Sequence, residues 1–141
     1  MMSSSSSLFS RTTPARATEV HAHTSATFDA KLAETQDLLR QAAALGADAV
    51  TQASSLGAED VVITHLINAL QLDMPVFVLE TGALHTETLA LLERTQAHSR
   101  APVTVYRPEA EAVIHFIRTN GQDAMYQSID LRKACCGIRK M

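Results

Sequence analysis

The sequence predicts an α/β domain, a parallel sheet flanked by helices. Three observations carry that reading. Short apolar runs alternate with longer stretches of helical periodicity from residue 28 onward. The run "PVFVLE" at 75–80 is continuous rather than alternating, as suits a strand covered on both faces. Gly46 and Gly121 stand where two of the helical stretches would have to stop. At 141 residues the chain holds one domain at most.

Residues 1–27 are rich in Ser, Thr and Ala, carry Arg11 and Arg16, and meet no acidic residue before Glu19. This composition buries no core and reads as a disordered tail. An organelle transit peptide has a similar look, but no amphipathic helix is evident among the serines. A first helix follows over 28–45, with Phe28, Leu32, Leu38, Leu39, Ala42 and Leu45 near helical spacing. "DAVTQAS" is a short strand, "AEDVVITHLINALQL" a helix, and "PVFVLE" the second strand. Thr86 is a candidate N-cap for the helix "TETLALLERTQAH". "APVTVYRP" is the third strand and "EAEAVIHFIRTN" its following helix. The last segment is turn-like up to Ile129 and helical beyond it.

A net charge of −3 leaves no footprint for nucleic acid, and no apolar run approaches the roughly 20 residues a membrane span requires. The two cysteines, Cys135 and Cys136, are neighbours and make no disulfide framework. A reducing compartment, the cytoplasm, is expected, where thiols serve metals or redox chemistry.

Two loops leave the predicted sheet at its carboxyl edge, where open α/β sheets bind ligands. In "SSLGAED", Gly57 permits close backbone approach, Ser54 and Ser55 add hydroxyls, and the next helix offers free N–H groups to an anion. A tight turn before a capped helix explains the same residues, and both readings stay open. In "LETGALHTET", Thr81 and Gly82 repeat the pattern, and Glu80 either serves a nucleotide hydroxyl or faces water. His85 reads as a turn residue, and His65 and His115 as half-buried helix residues. His21 and His23 receive no role. "RKACCGIRK" places four cations, Arg132, Lys133, Arg139 and Lys140, around two soft ligands. Positive surroundings favour the thiolate, which binds metal or attacks.

From about Asp48 to Met141 the residues resemble the assimilatory sulfonucleotide reductases, through "SSLGAEDVV", "LETGALHTET", "VYRPE" and "MYQSIDLRKACCGIRK". The paired cysteines resemble the adenylyl-sulfate (APS) branch, which carries a [4Fe-4S] cluster. The resemblance implies an adenine nucleotide alpha-hydrolase-like fold with a modified pyrophosphate loop at Ser54, Ser55 and Gly57. It also implies nucleotide contacts at Thr81 and Gly82, and phosphosulfate-facing cations at Arg139 and Lys140. Cys135 and Cys136 would be two of four cluster ligands. The implied reaction is reduction of adenosine 5′-phosphosulfate to sulfite and AMP, with thioredoxin as electron donor. Residues 28–141 would then be the N-terminal part of the reductase domain. The second cysteine pair and the attacking cysteine are expected beyond Met141, leaving this stretch without turnover by itself. Glu80 and Thr86 depart from the family's usual Asp and Pro. Three further readings compete: a PAPS reductase without a cluster, an ATP pyrophosphatase-type hydrolase, and a nucleotide-binding module without catalysis.

Overall fold

The computed structural model describes residues 16–20 and 23–140. The chain divides into two units, Met1–Ala33 and Glu34–Met141. Most of the expected disordered tail, residues 1–15 with His21 and Ala22, lies outside the described residues. What is described of the first unit begins with a single helical turn, α1 (Ala17–Val20), where the Arg16 N–H donates to Glu19 Oε2 at 3.0 Å. Helix α2 (Phe28–Ala43) starts in the first unit and ends in the second.

In the second unit the order is β1 (Gln52–Ser54), α3 (Ala58–Ala69), β2 (Val76–Leu79), α4 (Thr86–His98), β3 (Val103–Tyr106) and α5 (Ala110–Asn120). A 3-10 turn, Ala124–Tyr126, and α6 (Ile129–Lys140) complete it. The strands run parallel in the order β1-β2-β3. Gly121 ends α5 in a positive-φ conformation, its N–H closing on the Ile117 carbonyl, and Gly46 (φ +98°) follows α2.

The expectation that β2 is covered on both faces is corrected. Val76 and Val78 are 1% exposed, whereas Phe77 and Leu79 are only half-buried. Phe77 pairs in register with the exposed Ala53 and Thr104. The cause is topological: right-handed crossovers that step in one direction along a sheet lay their helices on the same face. Ile67 of α3 packs with Val76, Met74 and Ala101, and Leu92 of α4 packs with Val78 and Leu56.

The inward face of α2 also differs from its predicted stripe. Leu39, Ala42 and Ala43 reach the core, while Leu38 and Leu45 are exposed. A 16-residue helix that touches its core along one turn needs only a narrow apolar stripe. A third core joins Phe116 of α5, Ala124 and Cys135 of α6. No helix among the described residues is long and apolar enough to cross a membrane.

Candidate functional site

Ser54 ends β1 with its side chain buried, and its Oγ accepts the Leu56 N–H at 3.2 Å. The chain then turns sharply. The left-handed residue is Leu56 (φ +63°), held by burial against Val78 and Leu92, and Gly57 (φ −66°) lies in ordinary extended backbone. Glycine is thus not required there for its torsion, although a Cβ at Gly57 would come within 3.3 Å of Ser55 Oγ. Asp60, on the first turn of α3, reaches back to the loop. Its Oδ2 accepts the Ser55 N–H at 2.6 Å and the Ser55 Oγ–H at 2.7 Å. These two bonds hold the Asp60 carboxyl below the usual carboxylate range, against a weaker opposing effect of burial.

Beneath the loop, a buried polar pair that sequence reasoning does not single out locks β1 to α3. Thr64 Oγ1 donates to Gln52 Oε1 at 2.9 Å, and Gln52 Nε2 donates to the Asp60 carbonyl at 2.9 Å. Gln52 is a polar residue in a short strand, and only its pairing with a residue 12 positions on reveals its use.

The second loop leaves β2 with Glu80, whose Oε1 accepts the Gly82 N–H at 2.7 Å and whose Oε2 pairs with Arg107 Nε at 3.3 Å. Gly82 has φ +70°, a conformation that glycine takes without a Cβ penalty. His85 rather than Thr86 is the N-cap of α4, and neither supplies a capping bond from its side chain. Thr86 is already helical, and the extended torsions that define a cap belong to the residue before it.

Helix α6 brings Arg139 and Lys140 to this edge, and Arg139 reaches back to Cys135 on the same helix. Cys135 is 4% exposed against Phe116 and Ala124, and Cys136 is half-buried. Arg139 Nε donates to Cys135 Sγ at 3.3 Å, and its Nη1 donates to the Thr81 carbonyl at 2.6 Å. Ser54, Ser55, Thr81 and Lys140 line one cleft of about 380 Å³, floored by Phe77 and Leu79. Gly82 and Arg139 line an adjoining hollow of about 290 Å³ with Glu80 and Arg107. Four of the predicted residues therefore share one cleft, and two more lie at its neighbour. Gly57 and the two cysteines line neither space.

His65 and His115 are exposed rather than half-buried. Each falls on the outer side of its helix, where the adjacent Leu66 and Phe116 take the inward positions. His65 borders a separate crevice of about 220 Å³ with His98 and Asn68. Among the described residues no group of three or more His, Cys, Asp or Glu is placed to hold a metal ion. Cys135 and Cys136 are soft donors of the type that cluster sites use, and they amount to half of a four-thiolate set.

Residues 49–141 match the phosphoadenosine phosphosulfate reductase domain family. Among curated relatives, the chain is 39% identical over 84 residues to the adenosine 5′-phosphosulfate reductase of Burkholderia cepacia, covering 60% of this chain and 34% of that protein. It is 43% identical over 84 residues to the protein of the same name from Neisseria meningitidis serogroup B, covering 59% and 34%. The chain thus spans about a third of the length of these relatives. Its fold matches a crystal structure of the phosphoadenylyl-sulfate (PAPS) reductase from Candida auris in a phosphate complex. That match has a TM-score of 0.59 at 19% identity and covers 84% of this chain and 59% of the other. The family match begins just before β1 and runs through both loops and all of α6, so the residues that build the cleft fall inside it. The chain belongs to the phosphoadenosine phosphosulfate reductase domain family.

Proposed function

We propose that this chain is the nucleotide-holding part of an adenylyl-sulfate reductase of sulfate assimilation, acting in the cytoplasm. The observation that carries the reading is the single cleft shared by Ser54, Ser55, Thr81 and Lys140 at the carboxyl edge of the sheet. The curated relatives bear the APS reductase name, which favours APS over PAPS as substrate.

In this reading the adenosine lies against the apolar floor of Phe77 and Leu79, and the phosphosulfate lies toward Lys140 and the first turn of α3. Ser55 is committed to Asp60, so the donors left for the anion are the N–H groups of that turn, which have no side-chain cap. A fixed cation and fixed N–H groups hold the charge of the ester while its sulfur is attacked. A cysteine thiolate attacks the sulfuryl sulfur, an S–S bond forms, the S–O bond to AMP breaks, and AMP leaves with the electron pair. The dithiol of thioredoxin then reduces the S-sulfocysteine, releasing sulfite and becoming a disulfide.

Cys135 and Cys136 are assigned as two ligands of a [4Fe-4S] cluster, and their soft, adjacent donors support that role. When bound, the cluster would supply a concentrated local charge and polarisable sulfur. These 141 residues contain two cysteines, so in this reading the other ligands and the attacking thiol come from outside them, and the stretch alone gives no turnover.

Calorimetry of the 141-residue chain with AMP, APS and PAPS tests the assignment. Binding of AMP and APS is expected, with PAPS weaker. Absence of heat with all three would remove it, and tighter binding of PAPS would move the chain to the other branch.

A further inference from the structure

We propose that Arg139 is a positioning residue that couples the nucleotide loop to Cys135, so that occupancy at one is felt at the other. The inference rests on the nucleotide reading of the cleft and goes beyond a role for Arg139 as a substrate-facing cation. Its guanidinium is engaged at both ends, through Nε to Cys135 Sγ at 3.3 Å and through Nη1 to the Thr81 carbonyl at 2.6 Å. The guanidinium is planar and rigid, so the positions of Nε and Nη1 are not independent. Moving the Thr81 carbonyl moves the donor that Cys135 feels.

The loop is shaped to receive this side chain. A Cβ on Gly82 would stand 3.3 Å from Arg139 Nη1, at a φ of +70°. Glu80 fixes the loop from its other side, through Gly82 N–H and Arg107. Thr81, which lines the cleft, is therefore held between a carboxylate clamp and the guanidinium. Lys140 is placed differently: it lines the cleft with Ser54 and Ser55, and its neighbour Arg139 makes the link to the sulfur. Cys135 is 4% exposed, so a reagent reaches it only through local opening, and opening at this end breaks or strains the Arg139 strap. Coupling between the two places is reciprocal by linkage.

The test is site-resolved alkylation of Cys135 and Cys136 by iodoacetamide, read by peptide mass spectrometry, in the 141-residue chain with and without AMP. Calorimetry on the same samples establishes whether AMP binds. In wild type, AMP is expected to change the Cys135 rate by about fivefold or more, the lower end of ordinary coupling, with little change at Cys136. In Arg139→Ala, at AMP concentrations that calorimetry shows to be saturating for that variant, the Cys135 effect vanishes. Arg139→Lys keeps the charge without the fork and also loses the effect, which separates bridging from simple electrostatics. An AMP effect that persists in either variant, or AMP binding to wild type with Cys135 unmoved, overturns the proposal. Loss of fold in a variant announces itself as faster alkylation at both cysteines. If AMP fails to bind wild type, the nucleotide reading falls, and the strap is judged by hydrogen exchange instead. Alkylated Cys135 should then speed exchange at the Thr81 and Gly82 amides in wild type and leave Arg139→Lys unchanged. No change in wild type overturns it.

Discussion

Asp60 and Ser55 form a closed pair at the mouth of the cleft, one carboxylate oxygen accepting both the N–H and the Oγ–H of the serine at 2.6 and 2.7 Å. An acid on the first turn of a helix is favoured by the helix dipole, and here it also ties down the preceding loop. Replacing Asp60 by Ala should cost about 1 kcal/mol, the net value of an ordinary intramolecular hydrogen bond. The pH dependence has a definite sign. The folded pKa lies below the ordinary 3.8, so the contribution is complete above that value and is lost as pH falls through the lower, folded one. Urea unfolding of wild type and Asp60→Asn should therefore show a gap at pH 7 that closes in acid below 3.8. A gap independent of pH would deny the carboxylate this role.

Gly82 and Gly137 should respond oppositely to alanine. Gly82 has φ +70°, and a Cβ added there would stand 3.3 Å from Arg139 Nη1, so Gly82→Ala meets both torsional strain and a crowded guanidinium. A loss of about 1–2 kcal/mol follows from the left-handed conformation alone. Gly137 lies inside α6 and a Cβ there meets nothing within 4 Å. Gly137→Ala should stabilise by roughly 0.5–1 kcal/mol through helix propensity. Thermal melts of the two variants, moving in opposite directions, are the check.

How far the sequence reveals this arrangement depends on the range of the interaction. The three strands, the stop at Gly121 and both edge loops are legible, because they rest on local apolar runs and turn residues. Thr86–His98 is recovered at both ends as a helix, with only its cap misplaced by one residue. Less legible is direction. A continuous apolar run does not say which face of β2 is left open, and 3.6-residue periodicity does not separate Leu39, which packs, from Leu38, which does not. Asp60 sits inside the "SSLGAED" motif, yet its bond back to Ser55 depends on a left-handed Leu56 that no propensity anticipates. Arg139 and Thr81 are 58 residues apart, and no local pattern joins them.

Asn68 illustrates a residue that the motifs pass over and the fold depends on. Its Oδ1 accepts the N–H groups of Arg100 at 2.6 Å and Ala101 at 3.2 Å, and the Ser99 Oγ–H at 3.2 Å. Its Nδ2 donates to the Thr64 carbonyl at 2.8 Å. One amide thus ties the end of α3 to the entry of β3. Asn68→Ala leaves those amides without their acceptor and should cost about 1–3 kcal/mol. Asn68→Asp keeps the acceptor and loses the donor, so it should fall between Ala and wild type in denaturant midpoint. Equal midpoints for Ala and wild type would show that water replaces the amide fully.

Lys140 separates charge from shape in the cleft. It is exposed and lines the space shared by Ser54, Ser55 and Thr81. The proposed substrate presents its negative charge to this edge, and AMP presents a phosphate there too. Lys140→Met keeps most of the apolar stem and removes the ammonium, so loss of affinity reports the charge rather than packing. A charge-assisted hydrogen bond of about 1.5 kcal/mol corresponds to roughly tenfold in Kd. Because the ammonium is solvent-exposed, the difference should shrink as salt rises and the Debye length shortens from about 10 Å at 0.1 M to about 3 Å at 1 M. Calorimetric titration of wild type and Lys140→Met with APS at the two salt concentrations provides the measurement. A tenfold gap at low salt that collapses at high salt places the lysine on the anion. An unchanged Kd at both concentrations would leave the anion to the N–H groups of α3, and Lys140 would lose its part in binding.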